Sequence, residues 1–108
     1  MSRPRPRSAL ALDVGRRRIG LAGCDPLGIT VTPLQALARS DLPSDLARLL
    51  PLVLERRVEV LVVGLPLDAD QQPTRQALHC RRYGIKLQGA LKDAGHSLPL
   101  AWVDEHAS

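Results

Sequence analysis

Residues 58–66 read VEVLVVGLP, a nearly continuous run of apolar and mostly β-branched side chains that ends at Gly64 and Pro66. A run without polar alternation is typical of a central strand in a parallel sheet, where both faces of the strand are covered. Parallel neighbours have to be joined by long crossover connections, which are usually helices. The run therefore predicts an α/β fold in which the other segments supply neighbouring strands and covering helices.

From Ser8 the sequence has the two-residue period of strands. This period predicts a strand over 9–14 and, after a short turn, a second strand over 19–24, so that the two form a hairpin. The sequence DPLG at 25–28 predicts another turn, and ITVTPL at 29–34 predicts a third strand. We expect this strand at the sheet edge, because Pro33 has no N–H for a second neighbour.

Two later segments have the period of an amphipathic helix. The first helix should begin near Asp41 and be kinked by Pro51, and the second should cover about 73–94, with Gly95 as its C-terminal stop. The predicted packing sides are Leu46, Leu49, Leu50, Val53 and Leu54 in the first helix, and Ala77, Cys80, Tyr83, Leu87, Leu91 and Ala94 in the second.

The last segment, LPLAWVDEH at 98–106, predicts a fifth strand. Helix-linked strands with right-handed crossovers are parallel, so the predicted fold class is α/β, a mixed five-stranded sheet flanked by helices in the order βββαβαβ. We expect one domain over 9–108, preceded by a disordered basic Pro/Arg tail at 1–8. Ligands of such sheets bind at the carboxyl ends of the parallel strands.

Composition limits the classes of protein. The chain is 44% hydrophobic and 24% charged, as in soluble globular domains, and its net charge of +4 suits a polyanionic partner. Cys24 and Cys80 lack the neighbouring ligands of a zinc site, and no apolar run approaches the roughly 18 residues of a membrane span. We expect a cytoplasmic monomer or weak dimer with reduced thiols and no membrane contact.

Acidic residues occupy the ends of predicted strands. Asp13 ends the first strand, and Asp104 and Glu105 lie at the end of the last one. A lone carboxylate at such a position is usually a capped structural residue, whereas several together are typical of a site for Mg²⁺ or Mn²⁺. We predict Asp13, Asp104 and Glu105 as catalytic residues, with Asp13 and Asp104 as metal ligands. Asp68 and Asp70 are interpreted as turn formers.

Basic residues form two groups. Arg16, Arg17 and Arg18 follow Asp13 in the predicted hairpin turn, and a helical stripe is formed by Arg75, His79, Arg82 and Lys86. We predict that the arginines of both groups and Lys86 bind nucleic-acid phosphates. The neighbouring Asp13 favours this role for the turn over that of a solvated turn, whereas a basic helical stripe is more often simply the solvent-exposed face of a helix. Tyr83 and Trp102 are the only aromatic residues, so recognition would depend on backbone charge and shape.

Three blocks of this sequence resemble the YqgF family of ribonuclease H-like proteins: LALDVGRRRIGLAGCDPLGITVTPL, VVGLPL and WVDEH. The resemblance implies a ribonuclease H-like fold and a divalent-metal phosphodiesterase that matures the 5′ end of pre-16S ribosomal RNA or resolves Holliday junctions. By motif position, Asp13 matches the metal ligand of the first strand. Arg17 and Arg18 match the basic pair before IG, and Asp104 and Glu105 match the acidic pair of the last strand.

The sequence departs from the family pattern at two places. His106 stands where the family usually has arginine, and it could contact a phosphate only when protonated or as a neutral donor. The family pattern also continues after the position of Ser108 into a helix that bears another active-site carboxylate. We therefore expect this chain to lack the last helix of the fold and that ligand.

Three functional hypotheses follow. The first is a metal-dependent endonuclease for structured RNA or branched DNA, with ribosomal precursor particles as partners. The second is a nucleic-acid-binding ribosome-assembly module whose acidic site has decayed. The third is an ATP-binding protein of the actin and sugar-kinase folds, which also open with a hairpin containing DxG. That hypothesis ranks last, because such proteins need a second phosphate-binding block and a far longer chain.

Overall fold

The structure is a computed structural model that describes residues 8–24, 31–67 and 74–106, without the side chains of Leu67, Glu105 and His106. The predicted tail at 1–7, the turn at 25–28 and the turn formers Asp68 and Asp70 lie outside these residues. The elements are β1 (Ala9–Val14), β2 (Arg18–Cys24), β3 (Val31–Ala38), α1 (Leu42–Glu55), β4 (Val60–Leu67), α2 (Arg75–Asp93) and β5 (Leu100–His106). The predicted order βββαβαβ is confirmed.

The five strands form one mixed sheet in the order β3-β2-β1-β4-β5. The hairpin strands β1, β2 and β3 pair antiparallel, whereas β4 pairs parallel with both β1 and β5. The edge position predicted for Pro33 is confirmed, since β2 is the only neighbour of β3 among the strands that the structure describes. The strand continues beyond the predicted range to Ala38, because Pro33 at an edge removes no bond that a second neighbour would need.

Both helices begin with a side-chain cap. Asp41 Oδ1 accepts a hydrogen bond from Ser44 N at 2.8 Å. A bond from the Ser44 side chain, followed by this backbone bond, lowers the pKa of the Asp41 carboxyl. Thr74 Oγ1 accepts from Ala77 N at 3.0 Å at the start of α2. Gly95 follows α2 with a φ of 95°, a left-handed conformation that glycine adopts without strain, which confirms the predicted stop.

The two helices pack on the same face of the sheet and against each other. The core between the helices and the sheet consists of Leu10, Leu12, Val14, Ile19, Leu21, Leu49, Val53, Val58, Leu61, Val63, Cys80, Tyr83, Leu87 and Leu91. The prediction that Leu54 and Ala94 lie on the packing sides is wrong, because both are exposed. The buried stripe of α1 runs instead through Asp45, Leu49 and Val53 at four-residue intervals.

Gly84 lets α2 approach the sheet closely. A Cβ atom at this position would lie 3.3 Å from side-chain atoms of both Val63 and Trp102. A glycine in a helix costs about 1 kcal/mol relative to alanine. Close packing of the helix on β4 and β5 offsets this cost, so the glycine does not interrupt α2.

The central strand β4 is covered less completely than its sequence predicts. Leu61 and Val63 are buried beneath the helices, whereas Val60 and Val62 are half-buried on the opposite face. Both helices of the described residues lie on one side of the sheet, so for this part of the chain the predicted cover on both faces is wrong. We call the opposite side the open face. None of the described helices is long and apolar enough to cross a membrane.

Candidate functional site

A pocket of about 420 Å³ lies on the open face, and we call it the acidic pocket. Asp13 lines it with small and apolar residues, which include Gly20, Val62, Gly64 and Val103. Asp13 is exposed between Leu12 and Val14, whose side chains are buried on the helix side of β1. Strand alternation therefore places the carboxylate on the open face, at the carboxyl end of a parallel strand.

Gly20 creates part of the space around Asp13. The two residues are direct partners in the antiparallel pairing of β1 with β2. A Cβ atom at Gly20 would lie 3.4 Å from Asp13 Cβ and 3.9 Å from Asp13 Oδ2. The absence of a side chain at this position thus leaves the Asp13 carboxylate accessible from the side of β2.

The structure brings Asp13 and Asp104 to the same end of the sheet but not to the same face. Asp104 is exposed on β5 and pairs with Leu65, and the preceding residue, Val103, lines the acidic pocket. Alternation along β5 assigns Asp104 to the other face, the one on which Trp102 contacts Gly84. The backbone of Glu105 pairs with Pro66 in the same ladder, and its side chain lies outside the description.

The described residues do not form a complete metal centre. Among their side chains there is no group of three or more His, Cys, Asp or Glu residues that could hold a metal ion. Carboxylate oxygens are the ligands that Mg²⁺ and Mn²⁺ prefer, and the acidic pocket contains one described carboxylate, that of Asp13. Binding of Mg²⁺ or Mn²⁺ stays a prediction that requires further ligands.

A second pocket, of about 440 Å³, is lined by Arg16, Arg39, Arg75, Gln76 and His79, and we call it the basic pocket. Two of the predicted nucleic-acid-binding residues, Arg16 and Arg75, thus meet although they belong to a turn and a helix. The other predicted residues, Arg17, Arg18, Arg82 and Lys86, are exposed outside its lining.

The basic pocket lies at the same end of the sheet as Asp13. Gln76 Nε2 donates to Val14 O at 2.8 Å, and Thr74 Oγ1 donates to Pro66 O at 2.9 Å. These bonds attach the first turn of α2 to the carboxyl ends of β1 and β4. The acidic and basic pockets are therefore on either side of one sheet end, joined by the turn between β1 and β2.

Arg39 is a pocket residue that sequence reasoning missed. Its backbone N–H donates to Arg17 O at 2.7 Å, and its Nη1 donates to Gly15 O at 3.0 Å and contacts His79 Nε2. The guanidinium also lies over the Tyr83 ring, 4.7 Å from the centroid. No periodic pattern of the sequence includes Arg39, and its position one residue after β3 is known only from the structure, because the predicted strand ends at residue 34.

The buried carboxylate of Asp45 positions Arg39 indirectly, through Tyr83. Asp45 is fully buried and accepts from Tyr83 Oη at 2.9 Å, from Arg48 Nη2 at 2.7 Å and from Ser40 N at 2.9 Å. Burial, followed by the hydrogen bond to Asp45, raises the pKa of Tyr83, so the phenol stays protonated and keeps donating. This hydrogen bond fixes the Tyr83 ring, over which the Arg39 guanidinium lies.

His79 reports the positive potential of the basic pocket. Burial lowers the pKa of its imidazole, and the charges of Arg39, Arg16, Arg82 and Lys86 lower it further, in that order. The imidazole is therefore neutral at pH 7. Since a guanidinium can only donate, Nε2 of His79 is the acceptor in its contact with Arg39.

Fold comparisons define the class of protein first. RuvC from Thermus thermophilus, solved in complex with a Holliday junction substrate, matches with a TM-score of 0.61 at 16% identity, over 91% of this chain and 64% of that chain. Pelota from Archaeoglobus fulgidus matches with a TM-score of 0.53 at 9% identity, over 94% of this chain and 28% of that chain. The architecture is that of an α/β, ribonuclease H-like fold, and it is similar to the fold of RuvC.

Sequence comparison then narrows the class to one family. The family profile described as "RuvX: Holliday junction resolvase" matches residues 7–108, and the chain belongs to this family, which is the YqgF family of the resemblance noted above. A Parasynechococcus marenigrum protein is 64% identical over 97% of this chain, and a Prochlorococcus marinus protein is 52% identical over 100% of it. Both are named "Putative pre-16S rRNA nuclease". The chain spans 64% of the length of the first relative and 67% of the second.

Proposed function

We propose that this chain contributes to a metal-dependent endonuclease that hydrolyses phosphodiester bonds in structured RNA, with the 5′ end of pre-16S ribosomal RNA as substrate. The observation that carries the proposal is the accessible carboxylate of Asp13, at the carboxyl end of a buried parallel strand and surrounded by Gly20 and Gly64. The names of the relatives support the choice of substrate. Ribosomal precursor particles are the expected partners, so the proposed site of action is the cytoplasm.

Asp13 is proposed as a ligand of Mg²⁺ or Mn²⁺, and the acidic pair Asp104 and Glu105 is proposed to supply a further catalytic carboxylate. The alternation of β5 assigns Asp104 to the face opposite Asp13, so the two residues of the pair are not equivalent candidates. Consecutive side chains of a strand point to opposite faces, so variants of each residue of the pair have to be compared. A divalent cation would stabilise the negative charge that develops on the phosphoryl oxygens. The arginines of the basic pocket hold and orient the RNA backbone as it passes the same end of the sheet.

Replacement of Asp13 tests this proposal. Asp13→Asn should reduce cleavage of a 5′-extended pre-16S RNA in Mg²⁺ by more than the roughly 10–100-fold that loss of an outer-shell partner of a metal site costs. Its affinity for the same RNA should be retained, because Asp13 lies outside the basic pocket. Asp93→Asn is the matched control, since Asp93 is an exposed acid at the far end of α2. Equal cleavage by Asp13→Asn and the parent chain would contradict the catalytic assignment.

Two other functions are supported by particular observations. The single described carboxylate of the acidic pocket favours a nucleic-acid-binding ribosome-assembly module, which would bind precursor RNA and leave it uncut under all metal conditions. The family description favours a Holliday junction resolvase. A four-way DNA junction and a pre-16S RNA should be offered in competition, since preferential binding and cutting of the junction would replace the RNA proposal.

A further inference from the structure

The basic pocket gathers its cations from three separate parts of the chain. Arg16 belongs to the β1–β2 turn, Arg39 follows β3, and Arg75 is the first residue of α2. Among the side chains that the structure describes, none of these guanidiniums is ion-paired with a carboxylate. Three like charges around one cavity repel each other, so the site favours an anionic occupant.

The shift of His79 supports this interpretation of the charges. All four charged groups that act on the imidazole are cations, from the β1–β2 turn, from the residue after β3 and from α2 itself. Among the described residues, the charges that act on the imidazole are therefore all positive. An anion in the pocket would offset these charges.

Arg39 is held in place before any ligand arrives. Its described contacts use the backbone N–H, the Nη1 atom and the face of the guanidinium, which rests on Tyr83. A guanidinium has five N–H donors in a fixed plane, so further donors of Arg39 remain for the cavity that it lines. Immobilising an arginine before binding reduces the entropy cost of the complex.

We propose that the basic pocket is a binding site for one phosphate group of a polynucleotide, with Arg16, Arg39 and Arg75 as its donors. Guanidinium groups match phosphate oxygens in geometry, and a phosphate remains anionic at every physiological pH. Only the identity of the ligand, a polynucleotide, rests on the proposed function. The phosphate site itself does not require that the chain cleave RNA.

The basic pocket also determines where a bound polynucleotide lies relative to Asp13. Gln76 and Thr74 attach this part of α2 to the strand ends beside which Asp13 lies, so a phosphate in the pocket is held at the same sheet end as the acidic pocket. Gln76 and His79 are positioning residues in this arrangement. His79 accepts from Arg39, and Gln76 fixes the helix that carries Arg75.

Inorganic phosphate is the first probe. In an NMR titration of the 108-residue chain, phosphate should shift the resonances of the pocket residues and raise the pKa of the His79 imidazole. Arg75→Gln should abolish these shifts, and Arg39→Gln should do the same if it folds. Arg75 is exposed and makes no described hydrogen bond or ion pair with another side chain, so its replacement spares the fold. Arg57→Gln removes the same charge from an exposed site beyond α1 and should leave the titration unchanged.

RNA is the second probe. Arg75→Gln should lower the slope of log affinity against log salt by about 0.7 to 0.9, the contribution of one phosphate contact, and Arg57→Gln should not. An equal loss for 5′-hydroxyl and 5′-phosphorylated oligonucleotides assigns the site to an internal phosphodiester, whereas a larger loss for the 5′-phosphorylated one assigns it to a terminal phosphate. Phosphate shifts that survive in Arg75→Gln, or that are absent from the parent chain, overturn the proposal. Failure of RNA cleavage alone leaves these readouts intact.

Discussion

The acidic and basic pockets share one end of the sheet and are built in opposite ways. The acidic pocket consists of strand residues that are mostly small or apolar, and Asp13 reaches it through the alternation of β1. The basic pocket consists of long side chains from a turn, a strand end and a helix. The pairing of β2 with β3 brings Arg39 to the turn, and the packing of α2 adds the helix residues. The first is a local property of neighbouring strands, and the second is a property of the tertiary structure.

This difference explains how much could be predicted from the sequence. The two-residue period identified β1, and the end of the period identified Asp13 as a candidate site residue. Arg39 carries no such signal, because its role depends on contacts with Gly15 and Tyr83, which are distant in sequence. Arg16 and Arg75 were predicted as members of separate basic groups, and their meeting in one cavity could not be read from their spacing.

The helices show the same limit. The apolar stripe of α1 predicts its burial, but it does not predict that Asp45 takes a buried position while Leu54 is exposed. Asp45 is buried because Tyr83, Arg48 and Ser40 satisfy its carboxylate. These partners come from different elements or lie outside the apolar pattern. Similarly, the apolar composition of β4 predicts that both faces of the strand are covered, but it does not specify which segment of the chain packs on each face.

Removal of the buried carboxylate should have the largest effect, and only the basic pocket depends on it. Asp45→Ala leaves the Tyr83 hydroxyl and the Ser40 N–H without their acceptor, and a buried donor without a partner costs about 1–3 kcal/mol. We expect a loss of about 3 kcal/mol in the free energy of unfolding, with a smaller loss for Asp45→Asn. Urea denaturation measures both. Asp93→Ala, at an exposed site, should change the free energy of unfolding by no more than about 0.5 kcal/mol. An equally small change in Asp45→Ala would mean that the hydrogen bonds to Asp45 do not stabilise the fold.

Filling the acidic pocket should impair cleavage and leave the basic pocket intact. Gly20→Val places a branched side chain against Asp13. Branched residues are favoured in strands, but the pairing of β2 with β3 is irregular between Ile19 and Leu21, so circular dichroism is used to establish that the variant is folded. Displacement of the carboxylate by about 1 Å should reduce cleavage on the order of 10²-fold. Phosphate binding in the basic pocket should not change.

Gly89→Ala serves as the control for this substitution, because a Cβ there meets no atom within 4 Å. Single-turnover cleavage of the precursor RNA and the phosphate titration together give the result. Unchanged cleavage by a folded Gly20→Val chain would show that the space beside Asp13 is not used.

The smallest expected effect concerns pH. The folded structure lowers the pKa of His79 below its usual value near 6.5, so the folded state binds a proton less readily than the unfolded state. The contribution of His79 to stability is therefore present above about pH 6.5 and is lost as the pH falls through the unfolded and then the lowered folded pKa. His79→Gln should reduce the difference between the unfolding free energies at about pH 7.5 and about pH 5.5. If the variant keeps the full difference, the lowered pKa of His79, caused by burial and then by the neighbouring cations, is not a source of this pH dependence.

The division of roles between the two pockets is tested most directly by single-turnover cleavage of one pre-16S RNA, measured against protein concentration for the parent chain, Asp13→Asn and Arg75→Gln. Asp13→Asn should lower the plateau rate and leave the half-saturating concentration near that of the parent. Arg75→Gln should raise the half-saturating concentration and affect the plateau much less. A plateau that falls as far in Arg75→Gln as in Asp13→Asn, or one that is unchanged in Asp13→Asn, would contradict this division.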